Sequence, residues 1–288
     1  MSIVINKAGF LTTIQDGGRT GYAHIGIPKS GFMDRLAAHV ANKMLENDPN
    51  AALLEVDVVG IILTTEVDCS VAIAGAKAIV HINQEPNDTT QPIHLKQGDQ
   101  LEIKPLTQGM WTYLAFAGGL CCESVLGSCS TLTVAKLGGY EGRRLYNNDR
   151  IILQAPRHIH GQKKPMYKRP PHNTIHCLAA TAGPEFDLFT KAAQRQIFQT
   201  AFTMTEHISR QGMKITGVKL DIKTKTDVHS TGLVPGSLQV TPGGEYIVTH
   251  RDSQTTGGYP RPIILNQQAL NQLAQVRPGE QIYFYKDL

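Results

Sequence analysis

The 288-residue sequence lacks the features that would place it in several large classes of protein. No apolar run is long enough to span a bilayer, and residues 1–6 show no basic segment followed by an apolar stretch and a cleavage site. The formal net charge is only +4 and the basic residues are scattered, which argues against a nucleic-acid-binding surface. We therefore expect a cytoplasmic globular protein, with neither nucleic acid nor membrane among its partners.

Cysteine is also scarce, with five residues, an odd number, of which Cys121 and Cys122 are adjacent. This set does not resemble a secreted disulfide framework. In a reducing compartment the side chains are expected to stay thiols. Cys69 and Cys177 have apolar neighbours, which favours packing in the core.

A metal site is not expected either. The pairs His158-x-His160 and His172-x₃-His176 could bracket a zinc ion. They lie in a segment rich in lysine and proline, and only Cys177 stands near them at ligand spacing. Solvated histidines of a linker are the preferred interpretation.

What the sequence does contain is mostly β-strand signal. Residues 69–82 predict two strands broken at Gly75, and residues 100–103 and 111–117 predict two more. Short runs of β-formers separated by Gly, Pro, Asn and Asp are typical of a sandwich or barrel. The predicted fold is therefore mainly β, with a few helices.

Three amphipathic helices interrupt the strands. The first covers residues 33–46, with Leu36 on its apolar face and Ser30 or Asp34 near its start. The second begins at residues 183–185, where proline and glutamate suit a first turn, and runs to Ile197. The third covers residues 266–275 and ends before a Pro-Gly pair.

One segment, residues 155–176, is unusually rich in Pro, Lys, Arg and His and is the best linker in the chain. It predicts two β-rich lobes, an N-terminal one at residues 1–160 and a C-terminal one at residues 161–288.

Residues 12–22 and 26–34 are richer in Gly, Asp, Arg and Ser than a core requires. Glycines 17, 18 and 21 allow positive φ and expose backbone N–H groups. Asp16 and Arg19 could pair with each other to hold this loop, or Arg19 could bind a substrate carboxylate with its guanidinium fork. Both interpretations stay open, and Ser30 belongs to the same candidate site.

Residues 127–131 and 137–143 form a second such stretch. Its glycines lack the Gly-Lys-Ser/Thr ending and the strand–loop–helix frame of a phosphate loop, so nucleotide binding is not predicted. Ser128 or Cys129 as a nucleophile would need a positioned base, and the neighbouring sequence supplies none. A tight turn at the rim of a pocket is preferred.

The third stretch is residues 249–261, between two predicted strands. We call residues 254–260, Gln254-Thr255-Thr256-Gly257-Gly258-Tyr259-Pro260, the QTTGGYP loop. Its amide and hydroxyl groups, with Gly-Gly backbone N–H groups able to approach an oxyanion, suit an amide or ureido ligand. The alternative is a merely polar turn.

At this point the sequence resembles a known family, the KipA family, also called allophanate hydrolase subunit 2 or the C subunit of 5-oxoprolinase. The matching motifs follow the family's order along nearly the whole chain: residues 12–19, 26–34, 51–55, 115–119, 127–131, 137–143, 183–185, 254–260 and 273–279, with Asn42 and Asn47.

The resemblance implies a cyclophilin-like β-barrel architecture and a KipI-like partner, the B subunit. It implies that the pair acts with a LamB/YcsF-like A subunit in the ATP-dependent opening of 5-oxoproline to glutamate, with no tightly bound cofactor on this chain. One alternative is a carboxyltransferase component of a biotin-dependent urea or amide carboxylase, which needs a separate biotin carrier. Another is a non-enzymatic KipI-binding regulator of a sensor-kinase inhibitor.

The chemistry of opening a cyclic amide suggests roles for single residues. Asp16 and Asp252 are the candidate acid–base groups. Arg19 and Arg210 are the candidate carboxylate anchors, and residues 254–259 are expected to contact the substrate. The family commonly reads Arg-Met-Gly-Tyr-Arg-Leu-x-Gly where residues 210–217 place Met213 and Lys214. Lysine cannot replace a bidentate arginine, so we expect a changed substrate or reduced activity if that arginine contacts the substrate in relatives.

Overall fold

The computed structural model describes residues 1–159, 167, 171–223 and 228–287. The chain divides into two compact units, the first made of Met1–Arg19 and Ser30–His172 and the second of Thr20–Lys29 and Asn173–Leu288. The predicted boundary between residues 160 and 161 lies outside the described residues. Lobes at 1–160 and 161–288 therefore stay a prediction.

In its described residues the first unit contains one α-helix, α1 (Arg35–Met44), and two antiparallel sheets. Its strands are β1 (Ser2–Lys7), β2 (Thr13–Gln15), β3 (Leu53–Val56), β4 (Ile61–Thr65), β5 (Cys69–Lys77), β6 (Val80–Ile82), β7 (Glu85–Asn87), β8 (Ile93–Leu95), β9 (Gln100–Ile103), β10 (Gln108–Phe116) and β11 (Arg150–Ile152). One sheet has the order β11-β1-β4-β9-β6-β7 and the other β2-β3-β10-β5-β8.

The two sheets share one hydrophobic core. Ile5 and Leu63 from the first sheet and Leu54, Ile73 and Leu114 from the second have no exposed surface and belong to the same apolar cluster. Fully burying each such side chain contributes about 1.5–3 kcal/mol relative to leaving it exposed. This core is why the alternating strands pair in one register, since a slip of one residue would turn their apolar set outward.

The first helix is shorter than predicted. Asp34 is its N-cap, and the Asp34 side chain accepts a hydrogen bond from the backbone N–H of Ala37 at 3.1 Å. Ala38 and Ala41 are fully buried, whereas Leu36, predicted on the apolar face, is 62% exposed. Asn42 holds the segment that follows the helix in place, because its side-chain amide donates hydrogen bonds to the backbone oxygens of Pro49 and Ala51, at 3.2 and 2.8 Å.

The second unit is built on a closed seven-stranded barrel of order β12-β19-β16-β17-β14-β13-β20. The strands of this unit are β12 (Ile175–Ala182), β13 (Phe202–Ile208), β14 (Gly212–Thr216), β15 (Thr231–Gly232), β16 (Ser237–Val240), β17 (Tyr246–Thr249), β18 (Thr256–Gly257), β19 (Ile263–Leu265) and β20 (Gln281–Lys286). Its helices are α2 (Lys191–Gln199) and α3 (Gln267–Leu273).

Aromatic side chains fill the barrel. Phe202 contacts Phe284 and Tyr246, with ring centroids 5.3 and 5.4 Å apart. The barrel closes because β12 pairs in parallel with β20 and antiparallel with β19. Closure leaves the barrel strands with no unpaired edge, which is how such folds avoid edge-to-edge association. The fold class predicted from sequence, mainly β with a few helices and a barrel, is confirmed.

Two boundary predictions were wrong. Strand β5 continues through Gly75, which takes a positive φ of 108° and stays paired with Thr112, so the break falls after Lys77. The helix expected from residue 183 is divided: a short 3₁₀ turn at Phe186–Leu188 ends at Phe189, and α2 starts anew with Thr190 as its N-cap. The third helix was predicted well, with Asn266 as N-cap.

The cysteine predictions also need correction. Cys122 and Cys129 form a disulfide with Cα atoms 5.9 Å apart, rather than staying thiols. Cys69 is buried as expected, but Cys177 is exposed. Sequence could not reveal this pairing, because it depends on a turn at residues 125–128 that brings Cys129 back to Cys122.

Candidate functional site

Asp16 in the first unit organises the 127–131 loop. Its Oδ1 accepts hydrogen bonds from Gly18 N at 2.8 Å, Ser128 Oγ at 2.5 Å and Ser130 Oγ at 2.6 Å. Its Oδ2 accepts one from Cys129 N at 2.6 Å. Four donors hold the carboxylate in a single orientation, and they join two motifs more than 110 positions apart in the sequence.

Arg19 and Ser30 lie in the same cluster. Both are 1% exposed, and Arg19 Nη1 donates to Ser30 Oγ at 3.2 Å. Arg19 Nη2 donates to the backbone oxygen of Ser130. Arg19 thus contacts the same 127–131 loop as Asp16 without pairing with it. Gly138, at φ 64°, packs against the 127–131 loop. A Cβ at this position would be 2.4 Å from the backbone oxygen of Ser130, so a side chain does not fit there.

A cavity of about 460 Å³ opens beside this cluster. Asp16 and both disulfide cysteines contribute to its wall, together with Glu46 and Arg157. The disulfide closes the 122–129 segment, so it restrains the residues that hold Asp16. The first unit therefore contains a concave surface with a rigid carboxylate at one side.

In the second unit, Arg210 and Asp252 form a buried ion pair before the QTTGGYP loop. Arg210 Nε donates to Asp252 Oδ2 at 2.7 Å and Nη2 to Oδ1 at 3.1 Å, and each side chain is 5% exposed. The Asp252 backbone N–H also donates to the Arg210 oxygen at 2.8 Å. This two-point contact sets the direction in which the chain enters the loop.

His250 and Arg251 dock the same turn on α3. His250 has no exposed surface, and its Nε2 lies 3.2 Å from the Leu270 oxygen while its Nδ1 accepts from Arg251 N at 3.0 Å. Burial, with help from the positive charge of Arg251, holds the pKa of His250 well below its ordinary value. His250 is therefore a neutral imidazole that donates through Nε2. Arg251 donates to Gln267 and Asn271 of the helix, both at 3.2 Å.

The QTTGGYP loop itself is the exposed part of this region. Gln254 and Thr256 are exposed, Tyr259 is 41% exposed, and the two glycines are half-buried. Thr256 and Gly257 form β18, which pairs with β15 in a two-stranded sheet separate from the barrel. The loop is thus an ordered structure that presents polar groups, rather than a simple turn.

Arg261, which the sequence reasoning did not select, anchors the end of the loop. It donates to both carboxylate oxygens of Glu185, at 2.8 and 2.7 Å, and to the Gly232 oxygen and Thr231 Oγ1, at 2.6 and 2.7 Å. The hydrogen bonds that Arg261 donates to Glu185 raise the pKa of Arg261. Burial alone would raise the pKa of Glu185, but the bonds from Arg261 outweigh it and lower that pKa.

Gln239 is a second residue that sequence reasoning missed. It lies on β16, is 2% exposed, and its Nε2 has no hydrogen-bond partner among the described residues. A Cβ placed on Gly257 would lie 2.8 Å from this nitrogen, so the amide is directly beneath the loop. A buried donor without a partner costs about 1–3 kcal/mol and requires an explanation.

The predicted site residues therefore fall into two groups. Asp16, Arg19 and Ser30 lie together in the first unit, and Arg210, Asp252 and residues 254–259 lie together in the second. Met213, at the departure from the family pattern, is fully buried, and Lys214 pairs with Glu245 at 2.9 Å on the surface. Of the histidines considered for zinc, His160 lies outside the described residues and His176 bonds to Glu280 at 2.8 Å.

Across the part of the chain that the structure describes, no helix is both long and apolar enough to cross a bilayer. The family model described as "Carboxyltransferase domain, subdomain A and B" matches residues 25–286. The chain belongs to this family, and the resemblance drawn from its motifs is confirmed.

Particular relatives agree with this assignment. The chain is similar to the 5-oxoprolinase C subunit of Escherichia coli (strain K12), with 34% identity over 97% of this chain and 89% of that protein. It is 32% identical to the 5-oxoprolinase C subunit of Haemophilus influenzae, over 94% of this chain and 87% of that protein. The crystal structure of Kluyveromyces lactis urea carboxylase matches with a TM-score of 0.92 and 26% identity, over 99% of this chain and 27% of that one. These relatives are enzymes or enzyme subunits, and this chain is an enzyme-subunit homologue.

Proposed function

We propose that this chain is the C subunit of an ATP-dependent 5-oxoprolinase, which converts 5-oxoproline to glutamate together with a KipI-like B subunit and a LamB/YcsF-like A subunit. The observation that carries the proposal is the end-to-end match to the Escherichia coli 5-oxoprolinase C subunit, which spans 97% of this chain and 89% of the relative.

The QTTGGYP loop supports this chemistry. Opening a lactam requires water to attack the resonance-stabilised carbonyl carbon, whose oxygen becomes negatively charged. The bond between that carbon and the ring nitrogen then breaks, and the nitrogen takes up a proton and leaves as the amino group. ATP used by the complex would activate that oxygen. The backbone N–H group of Gly258, with the side chains of Gln254, Thr255 and Thr256, is suited to bind the oxygen and the ring amide.

The hydrogen-bonded carboxylates of the two units have a positioning role in this proposal. Arg210 and Asp252 bind each other at two points, and so both are engaged before any substrate arrives. Asp16 is engaged by four donors in the same way. We propose that these residues hold their loops in place, and acid–base catalysis by Asp16 or Asp252 stays a prediction that Asp→Asn variants test.

One alternative is favoured by a specific observation. The TM-score of 0.92 to Kluyveromyces lactis urea carboxylase supports a carboxyltransferase that accepts CO₂ from a biotin carrier and passes it to a urea or amide nitrogen. Biotin would supply the carboxyl group, and in this chain the same loop would hold the acceptor amide.

Reconstitution separates the two functions. The purified chain is mixed with its KipI-like and LamB/YcsF-like partners, and glutamate release is followed with and without ATP and with and without 5-oxoproline. We expect release only when all components are present, and its loss on omitting this chain. No glutamate release, together with carboxylation of urea on addition of biotin carrier, would reject the 5-oxoprolinase function.

Variants then test the loop. Thr256→Ala and Tyr259→Phe change exposed side chains and should lower activity without loss of folding. Gln97→Ala, an exposed residue of the first unit, is the matched control and should keep wild-type activity. Equal activity in all three variants would show that this loop does not contact the substrate.

A further inference from the structure

Gln239 occupies a position on the barrel where a polar residue would normally reach solvent. Its neighbour Leu238 pairs with Val248 and Ile263, and all three are fully buried inside the barrel. Because successive residues of a strand point to opposite faces, Gln239 points outward. It is nevertheless only 2% exposed.

The cover over Gln239 is a small flap, which we define as residues 231–233 with residues 255–257. Its two strands are joined by the pairing of β15 with β18 and by the bond from Leu233 N to Thr255 O at 2.8 Å. A Cβ on Gly257 would meet Gln239 Nε2 at 2.8 Å and a Leu233 methyl at 3.2 Å. The flap therefore lies directly on the amide, and it does so through part of the QTTGGYP loop.

The contact between flap and amide is steric and lacks a hydrogen bond. Gln239 Nε2 has no acceptor within the described part of the chain. Buried polar side chains without partners are rare and recur at functional sites, where a ligand supplies the missing partner. The flap is anchored on one side by Arg261, which binds Thr231 and Gly232, while its outer strands are largely exposed. Because Arg261 holds the β15 side of the flap, the β18 side is the part that can shift outward.

We propose that Gln239 is a ligand-binding residue of the QTTGGYP-loop site, and that its amide donates a hydrogen bond to the uncharged carbonyl oxygen of a small amide, lactam or urea when the flap shifts outward. This inference rests on the proposed function for the identity of the ligand, which is then the lactam oxygen of 5-oxoproline. A neutral N–H donor suits an uncharged carbonyl, since it polarises the oxygen without introducing an unpaired buried charge.

The same arrangement explains why residue 257 is a glycine. Any larger residue would place its Cβ 2.8 Å from the amide nitrogen, which is too close, and would push Gln239 away from the loop. The absent side chain keeps the amide and the loop backbone close enough to contact the same ligand atom. Gln239 would thereby add a side-chain donor to the backbone donor of Gly258.

The test is a comparison of stability with binding. Gln239→Met keeps the length of the side chain and removes the amide, and Gln239→Glu keeps the shape and replaces the donor by an acceptor. Gln281→Met, on an exposed position of β20, is the matched control. Thermal unfolding of the full chain is measured first. Binding of 5-oxoproline and of urea to the chain and to the reconstituted complex is then measured by calorimetry, and KM is measured for glutamate release.

Removing a donor that lacks a partner should stabilise the ligand-free chain, so Gln239→Met should unfold about 2–4 °C higher than wild type. The same variant should bind the amide probe at least tenfold more weakly and raise KM by the same factor. Gln239→Glu should bind more weakly still, because its carboxylate repels a carbonyl oxygen. Gln281→Met should change neither property.

Other outcomes overturn the inference. A lower unfolding temperature with unchanged affinity would show that the amide has a structural partner, and unchanged affinity in every variant would show that Gln239 does not touch the ligand. Absence of probe binding to wild type would exclude this ligand class. If probe binding depends on Gln239 but no glutamate is released, the 5-oxoprolinase function is rejected and the inference stands. If glutamate is released and KM is unchanged in Gln239→Met, the 5-oxoprolinase function stands and the inference is rejected.

Discussion

Arg261 donates three hydrogen bonds to Glu185: its backbone N–H and Nε reach Oε2 at 3.0 and 2.8 Å, and its Nη2 reaches Oε1 at 2.7 Å. The two side chains are 5% and 13% exposed and stand 76 positions apart in the sequence. Because Arg261 also binds both residues of β15, this pair connects the start of the 3₁₀ turn to the flap. The position of the QTTGGYP loop therefore depends on a glutamate that lies outside it.

Replacing this glutamate should change the acid stability of the protein. Since the pKa of Glu185 in the folded chain is lowered from 4.5, the unfolded chain binds more protons as the pH falls, and the contribution of the pair is lost on acidification. At neutral pH, Glu185→Gln should lower the free energy of unfolding by about 2 kcal/mol. The difference from wild type should shrink as the pH falls from 4.5 through the lowered pKa. Urea unfolding at a series of pH values measures both effects, and a pH-independent difference would contradict them.

His250 should produce a second pH dependence at higher pH. The pKa of His250 in the folded chain is lowered well below 6.5. As the pH falls below 6.5, the imidazole is therefore protonated in the unfolded chain but stays neutral in the folded chain, and the free energy of unfolding decreases. Gln preserves the length needed to donate to the Leu270 oxygen but does not titrate. We expect wild type to lose stability from pH 6.5 downward and His250→Gln to lack that part of the loss. Identical unfolding curves for the two proteins across this range would refute the assignment.

The Arg210–Asp252 pair should be intolerant of lysine. Lysine supplies one point charge where arginine makes two directed bonds, so Arg210→Lys should lower both stability and activity of the complex. Truncation to alanine leaves Asp252 buried without its partner and should destabilise the chain by about 3–5 kcal/mol.

The control for that pair is Lys214→Ala. Lys214 and Glu245 are 37% and 58% exposed, and such surface pairs contribute about 0–1 kcal/mol. Chemical denaturation and turnover of the reconstituted complex check both variants. A loss in Lys214→Ala as large as that in Arg210→Lys would show that residue 214, where the chain departs from its family, has a direct role.

Reduction of the Cys122–Cys129 disulfide should loosen the Asp16 cluster. Opening this short covalent loop should lower the free energy of unfolding by about 2–3 kcal/mol, since the unfolded chain gains freedom. Cys129→Ser tests this under oxidising conditions, and Cys121→Ser, which changes an exposed free thiol, is the control that should behave as wild type. Equal stability of the Cys129 variant and wild type would mean that the disulfide restrains nothing that the fold does not already hold.

Much of the local structure was predictable. Asn266 as the cap of α3 and Asp34 as the cap of α1 follow from local backbone chemistry, which a sequence displays directly. The predictions that Leu36 is buried and that the strand breaks at Gly75 were wrong because tertiary contacts override the local pattern. Gly75 stays paired with Thr112 despite its positive φ. The helix expected from residue 183 failed for a similar reason, since Phe189 turns into the core and starts an extended segment.

The sequence by itself determined the family of this protein and the location of its polar loops, because motifs that follow a family's order need no coordinates to be read. Only the tertiary structure decided which side chains pack against those loops and hold them in place. Glu185 beneath Arg261, Gln239 beneath Gly257 and Cys129 beside Asp16 are contacts between distant positions, made when strands and turns close on one another. A buried amide without a partner has no signature in a sequence, since burial is a property of the folded chain.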